Sequence, residues 1–461
     1  MIAAQKYRGT VLIITNYFPP AGGGGVIRML KFAKYLPSFG WRPIILTPTV
    51  NTLVKDPSLL NELHPDVRIF RTPPSRFTEL KFRLLRKTYS PPVSTTDTMQ
   101  SKNSDGTPLL SKLVKILERL KKPIESWLLI PDQEVLWVRP ATHLAKKIFQ
   151  ENRIDAIMTS GPPHSVHAIG HALAKKYHVP WLIDYRDDWY ANPLFTPTSF
   201  MGKKIVRWLE QRYVKIATAL TAVTPPLRAD VAKRFPASPD SKFITLWNGF
   251  DPEDFRGSAE RPQGTVPFQL SYVGSFGTTR TARAVIDGIA LLKRARPELF
   301  AKLHINFVGQ FTDSRQPWFD VLGPNIQFTP HQTHAESIKT MRKADALLLI
   351  LTGSEDGAKA MPGKFYEYLA ARRPILALTC PGIVKDFIQQ HRLGWTADVN
   401  NSTEVAKVLV TLLEQSPSNR LLKSDTQERI IAQFSRERLT QQLAKILNTI
   451  STAPQRHTEE Q

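Results

Sequence analysis

Cysteine is nearly absent. The one cysteine in 461 residues, Cys380, excludes an internal disulfide framework and a zinc site built on thiolates. Long apolar runs are missing as well: none approaches the ~20 residues that a membrane-spanning helix requires. The first ten residues lead straight into an apolar strand pattern, so no signal peptide is expected and a cytoplasmic location is. Acidic residues are scarce, 40 Asp and Glu against 62 Lys and Arg, for a net charge of +22. A surface of that sign attracts polyanions. The motifs of nucleic-acid readers (helix-turn-helix, zinc finger, RNP) are lacking, so no nucleic-acid partner is expected. No internal repeat is visible, and no Walker loop or GxGxxG fingerprint occurs.

What is present is an α/β pattern. Hydrophobic content of 42% and charged content of 22% suit a globular chain. The length exceeds what one core fills, which argues for two or more domains. Apolar strand-like runs at 11–15, 43–47, 67–71, 155–159, 181–184, 220–223 and 243–247 alternate with helical patterns such as 26–39 and 165–176. A polar stretch rich in Pro and Gly, 251–267, reads as a linker. A second set of strands follows at 268–273, 304–308, 326–329, 346–351 and 375–378. The expected fold is therefore two doubly wound parallel α/β domains facing each other across a cleft: 1–250, then 268–435. A C-terminal helix at 436–450 returns to the first domain, and 451–461 forms a disordered tail. Ligands of such sheets bind beyond the carboxyl ends of the strands. Residues 76–126 hold eleven Lys and Arg against five Asp and Glu, with Leu and Phe interspersed. This basic amphipathic insertion is either a surface for an anionic membrane or a solvated charged excursion.

Three stretches carry chemistry. In Asn16-Tyr-Phe-Pro-Pro-Ala-Gly-Gly-Gly-Gly-Val-Ile-Arg28 a strand ends, a proline turn follows, and glycines including Gly23 and Gly24 open a helix. Glycine lets backbone approach a ligand, and the helix start favours a phosphate. In the second half, Lys364 and Glu367 stand one turn apart behind Pro362-Gly363, on one helix face. A diphosphate suits the lysine and the helix start; a sugar hydroxyl suits the carboxylate. The alternative is a surface ion pair. In Thr159-Ser-Gly-Pro-Pro-His164 and Asp184-Tyr-Arg-Asp-Asp-Trp189 a strand end presents candidate acceptor groups. His164 either orients an acceptor hydroxyl or is a partly buried helix residue. Asp187 is placed to accept the acceptor's proton. Arg186 either meets the acceptor or pairs with Asp184 or Asp188, and Trp189 either stacks on a sugar or packs. His164, His167 and His171 lack acidic or thiolate companions, so no metal is expected.

In this order the segments resemble a family 4 glycosyltransferase of GT-B fold. Ala222-Val-Thr-Pro-Pro226, Trp247-Asn-Gly-Phe-Asp251 and Tyr272-Val-Gly-Ser-Phe-Gly277 add to the likeness, which covers most of 10–445. The resemblance implies an acceptor-binding first domain and a nucleotide-sugar-binding second domain. It implies that Glu367, matching the second glutamate of the Glu-x7-Glu motif, binds ribose hydroxyls. The first glutamate falls on Lys359, with Glu355 nearby but out of register. Gly274 sits in the first strand–loop of the nucleotide domain. Arg280 matches a diphosphate-binding arginine, with a helix-terminal surface residue as the alternative. The usual lysine nearby is missing, leaving Arg283 or Lys364 to replace it. The resemblance further implies a retaining, metal-independent transfer with no cofactor beyond the nucleotide-diphosphate sugar, UDP by default. With the basic insertion, it points to a sugar or lipid-linked acceptor in polysaccharide or glycolipid assembly, the protein peripheral on the inner membrane face. A nucleotide-sugar epimerase and a catalytically silent scaffold of the same fold are the rival readings.

Overall fold

The structure, a computed structural model, describes residues 7–49, 55–73, 129–190, 199–257, 267–274, 283–309, 316–351, 355–415 and 424–452, together with 353 and 422. The basic insertion at 76–126, Arg280, the middle of the linker and residues beyond 452 lie outside these. The chain divides into two units. One comprises residues through Ala222, then Val231–Ile244 and the stretch from Leu443; the other comprises Val223–Asp230 and Thr245–Gln442.

The first unit carries strands β1 (Gly9–Thr15), β2 (Trp41–Pro48), β3 (Arg68–Thr72), β4 (Ala156–Gly161), β5 (Trp181–Tyr185), β6 (Ala219–Ala222) and β7 (Phe243–Thr245), in the order β3-β2-β1-β4-β5-β6-β7. The pairs from β3 through β6 are parallel. Helices α1 (Gly24–Tyr35), α2 (Val138–Glu151), α3 (Val166–Tyr177), α4 (Phe200–Ile216) and α5 (Pro225–Arg234) punctuate them. The strand order reverses between β1 and β4, where Ile14 pairs with Thr159 and Thr15 with Ser160. That reversal splays the two following loops apart and leaves a crevice at the strand ends. The glycine loop and the Gly161-Pro-Pro-His164 turn both leave the sheet there.

In the second unit β8 (Phe268–Val273), β9 (Leu303–Val308), β10 (Ile326–Thr329), β11 (Ala346–Ile350), β12 (Ile375–Leu378) and β13 (Gly394–Ala397) run in the order β10-β9-β8-β11-β12-β13, paired in parallel. The switch falls between β8 and β11. Alternation along the strands divides the core in two. Leu270, Ile305, Phe307, Leu348, Leu376 and Leu378 face one layer. That layer holds helices α6 (Arg283–Ala295) and α9 (Ser402–Glu414), between which α7 (Gly363–Ala370) and α8 (Ile383–His391) take the opposite side. Val273, Val308, Leu347, Leu349, Ile375 and Ala377 face that opposite layer. Strands buried on both faces read as continuous apolar runs, which makes them visible in the sequence. The doubly wound architecture expected from the alternation is the one found. The last helix, α10 (Arg436–Thr452), starts in the second unit, and from Leu443 it belongs to the first. There Asn448 Oδ1 accepts from Trp41 Nε1 at 3.0 Å.

Candidate functional site

In the second unit the site grows from the end of β8. Gly274 follows Val273 with φ +136°, a conformation L side chains avoid. A Cβ placed there would stand 1.4 Å from the Lys364 Nζ, so the ammonium lies directly against the glycine backbone. The same ammonium lies 5.0 Å from the Tyr272 ring centroid. Gly309, at the end of β9, is equally constrained: a Cβ there would meet Gly274 O at 2.4 Å. Two strand ends are thus held bare of side chains beside one lysine.

Helix α7 is fixed by its other face. Phe365, Tyr366, Tyr368 and Leu369 are buried. The Tyr368 hydroxyl accepts from Val273 N at 3.1 Å and donates to Leu348 O at 3.2 Å. That one side chain bridges β8 and β11 at the switch point, and so sets the height of α7 against Gly274. Lys364 and Glu367, off the buried face, are half-buried. Burial raises the Glu367 pKa; His334 and Lys364 pull it back down, Asp254 pushes it up and Arg436 lowers it. His334 Nε2 and Asp254 Oδ2 are 3.1 Å apart. Lys359, at the position where the family's first glutamate is expected, ends the short helix Glu355–Lys359. Its Nζ meets Asp230 Oδ2 at 2.7 Å. A cation with its own counter-ion therefore stands where the resemblance leads one to look for a carboxylate.

In the first unit, Arg186 gathers the loops of the switch point. It donates from Nη1 to Gly25 O at 2.7 Å, from Nε to Gly161 O at 3.3 Å, and from Nη2 to Pro162 O. It also lies over the Tyr17 ring, 5.8 Å from its centroid. Neither pairing considered for Arg186 is its main anchor: Asp184 is taken by Arg28, and Asp188 by Arg234 at 3.0 Å. Gly23 has φ +96°, and a Cβ at Gly23 or Gly24 would meet no other atom within 4 Å. The loop is held by Arg186 at Gly25 and leaves those two glycines accessible.

Asp187 is exposed, yet the protein crowded about it raises its pKa, with Arg186 opposing and Asp188 reinforcing the rise. His164 and Trp189 are both 0% exposed. Their rings stack at 5.1 Å and 11°, and Trp189 in turn stacks on Tyr213 at 5.9 Å. The packing alternative for Trp189 and the buried alternative for His164 are the ones this geometry matches; neither ring presents a face to solvent. Residue types disclose chemistry but not depth, and depth decides here.

The buried histidines are neutral. Desolvation holds His164 well below 6.5 and takes His167 down to about 3. Thr159 Oγ1 accepts from Trp181 Nε1 at 2.9 Å and shares a hydrogen bond of 2.8 Å with His167 Nδ1, the direction of which follows the imidazole tautomer. A folded-state pKa below the unfolded 6.5 favours the folded chain fully above that pH, and the advantage is lost as pH falls toward 3. The depressed Asp184 acts in the same direction at lower pH, while the raised Asp132, Asp187, Glu210 and Glu367 oppose it. Between about pH 7 and pH 5 His167 is expected to cost ~2 kcal/mol, and His164 acts in the same direction. His167→Gln should therefore reduce the drop in urea midpoint over that range; an unchanged slope would remove His167 as its source.

Sequence reasoning misses Arg28. It donates from Nε to Asp184 Oδ2 at 3.1 Å and from Nη2 to Oδ1 at 2.7 Å, with both side chains 2% exposed or less. Ser160 and Thr221 hydroxyls complete the Asp184 shell at 2.8 and 2.9 Å. Asp132 is missed as well: its Oδ2 accepts from Ser165 N at 2.8 Å, at the start of α3. An arginine a few residues beyond a glycine loop reads as surface; only the fold brings Asp184 beneath it.

Two parallel α/β units, each with a glycine-bearing loop at its switch point and the second with a lysine poised there, define a protein of the GT-B class. Residues 268–415 match the family model described as Glycosyl transferases group 1, and residues 110–254 match that of Glycosyltransferase Family 4. The chain belongs to the family 4 type of GT-B glycosyltransferases. No curated protein sequence matches it. Among solved structures, a glycosyltransferase from Rickettsia africae is 13% identical, with 97% of this chain and 100% of that one covered at a TM-score of 0.63. Sucrose-phosphate synthase from Thermosynechococcus elongatus is 14% identical over 97% and 100%, TM-score 0.60. A trehalose-6-phosphate protein of E. coli bound with UDP-2-fluoro glucose is 12% identical over 96% and 99%, TM-score 0.61. At these identities the likeness is one of fold. Among the described residues no helix is long and apolar enough to cross a membrane.

Proposed function

We propose that the protein transfers a sugar from a nucleotide-diphosphate donor to an acceptor hydroxyl, with the donor held by the second unit. The observation that carries this is the Lys364 ammonium set against the bare Gly274 backbone, with Glu367 one turn further along the same helix. The diphosphate lies against Lys364 and the start of α7, where cation and helix dipole add. Glu367 accepts hydrogen bonds from the ribose hydroxyls. Arg280 is a further diphosphate ligand in this reading. UDP is the nucleotide of choice, as in the E. coli structure bound with UDP-2-fluoro glucose.

Transfer breaks the bond from the sugar's C1 to the diphosphate oxygen and forms one from C1 to the acceptor oxygen, on the same face. The departing diphosphate takes the acceptor's proton. Its growing charge is stabilised by the lysine and the helix start, so the reading needs no metal. In the first unit Gly23 and Gly24 give the ligand access to backbone, and Asp187, with its raised pKa, assists the acceptor hydroxyl. Arg186 fixes the loops that carry them; His164 and Trp189 support those loops from beneath. The acceptor is a sugar or lipid-linked sugar at the inner face of a membrane, as in polysaccharide or glycolipid assembly.

Titration with UDP and 2′-deoxy-UDP tests the donor assignment. Native protein is expected to prefer UDP, and Glu367→Ala to lose that preference, a change of about tenfold or more for a hydrogen bond to a charged group. A variant that discriminates as well as the native chain removes Glu367 from the ribose. Sugar conversion on the donor in the absence of any acceptor would favour the epimerase reading instead.

A further inference from the structure

We infer that the outward face of α4 is a docking surface for an anionic lipid bilayer. The helix is well founded: the Ser199 side chain caps it by accepting from Gly202 N at 3.1 Å, and it runs 17 residues without proline, about 25 Å. Gly202, Val206, Glu210, Tyr213 and Val214 form its buried side. The opposite side is unusual for a helix of a globular unit. Phe200 is 70% exposed, Trp208 54%, Met201 48% and Ile216 40%. Four of the seven large hydrophobic side chains exposed among the described residues therefore lie on this one helix, which makes them a patch rather than scatter.

Charge of one sign is threaded through the patch. Lys203, Lys204, Arg207, Arg212 and Lys215 are all exposed. The helix's one acidic residue, Glu210, faces inward, where it meets Arg234 at 2.9 Å and the Tyr185 hydroxyl at 3.3 Å. The outward side is thus cationic and apolar without an opposing carboxylate of its own. Lys204 Nζ lies 4.5 Å from the Phe200 ring centroid, and the Arg212 guanidinium 5.3 Å from that of Trp208. Such pairs suit the headgroup layer: the rings enter the acyl boundary while the long basic side chains reach back to lipid phosphates. Single-stranded nucleic acid would use the two rings for base stacking but leave Met201 and Ile216 without a partner, whereas an acyl boundary takes all four. The surface deepens the membrane-side acceptor reading and rests on it only for what the acceptor is; docking stands or falls without reference to sugar transfer.

Flotation of the full-length protein with vesicles tests this. With equal parts phosphatidylglycerol and phosphatidylcholine the native chain is expected to float, and with phosphatidylcholine alone to bind at least tenfold more weakly. The triple variant Lys203→Gln, Lys204→Gln, Arg207→Gln should lose about a hundredfold in partitioning, each cation contributing a factor of roughly five. The pair Phe200→Ser and Trp208→Ser should lose about tenfold, the acyl-boundary share. All these positions are exposed, so circular dichroism and UDP titration are expected to match the native protein; that titration separates failure of this surface from failure of the donor site. The inference is overturned if the native chain does not float with anionic vesicles. It is overturned equally if the variants float as the native chain does, which moves docking to another segment. Loss of binding to a single-stranded RNA oligonucleotide in the Phe200 and Trp208 pair, with flotation intact, would assign the face to nucleic acid.

Discussion

Asp184→Ala is expected to cost the first unit about 3–5 kcal/mol, because it removes the carboxylate that the buried Arg28 guanidinium meets with two hydrogen bonds. In a unit of this size that corresponds to a fall in melting temperature on the order of 10 °C. Arg28 and Asp184 form a two-pronged pair with almost no solvent contact, and Coulomb attraction there is weakly screened. Removal of the carboxylate also strips the acceptor from the Ser160 and Thr221 hydroxyls, both buried. Asp184→Asn retains the shape but not the charge and should fall nearly as far. The double variant Arg28→Met, Asp184→Leu should recover most of the loss, since both ends of the pair become apolar together. A double variant as unstable as Asp184→Ala would show that the pair acts through its hydrogen bonds to β4 and β6 and not through its charge. The expected effect reaches the loops: α1 carries Arg28 and starts at the glycine loop, so the pair ties that loop's helix to the centre of the sheet.

That same pair marks the limit of what the sequence discloses. Strands at 268–273, 326–329 and 375–378 have the bounds that the sequence pattern predicts: 375–378 is apolar throughout and wholly buried, while 268–273 and 326–329 alternate apolar with polar residues. The strand at Gly394–Ala397 is not legible in this way: Gly-Trp-Thr-Ala opens on a glycine and offers neither an apolar run nor a clear alternation. Gly274, Lys364 and Glu367 are legible because each is odd for its place: a glycine at a strand end, and two charges one turn apart on a helix otherwise buried. Arg28 with Asp184, or Lys359 with Asp230, is not. Each partner lies over a hundred residues away, and neither residue type signals that it is paired. Trp189 illustrates the converse. An aromatic after a strand reads as a platform for sugar, and only packing against His164 and Tyr213 reveals it as interior.

Gly274→Ala and Lys364→Met are each expected to weaken UDP binding about a hundredfold, and together to weaken it no further. Lys364→Met keeps a stem of similar length over Tyr272 and removes the charge, so its effect measures the ammonium alone. Loss of one member of a desolvated charge pair costs on the order of 2–5 kcal/mol, which sets the hundredfold scale. Gly274→Ala leaves the lysine in the chain but takes its place: the new methyl stands 1.4 Å from Nζ and 2.1 Å from Cε, so the side chain must leave. The backbone at φ +136° adds strain of about 1–3 kcal/mol, visible as a lowered melting temperature common to both Gly274 variants. If the glycine serves only to admit the ammonium, its substitution displaces no charge once Lys364 is methionine, and UDP affinity has nothing further to lose. The two losses are then one loss counted twice. UDP against uridine supplies the internal control, since a lysine on the diphosphate should matter only to the former. Calorimetric titration of the four proteins with both ligands decides the matter. Additive losses, or equal losses for uridine, would mean that Gly274 and Lys364 act on the nucleotide separately, and the donor site would have to be rebuilt from other residues.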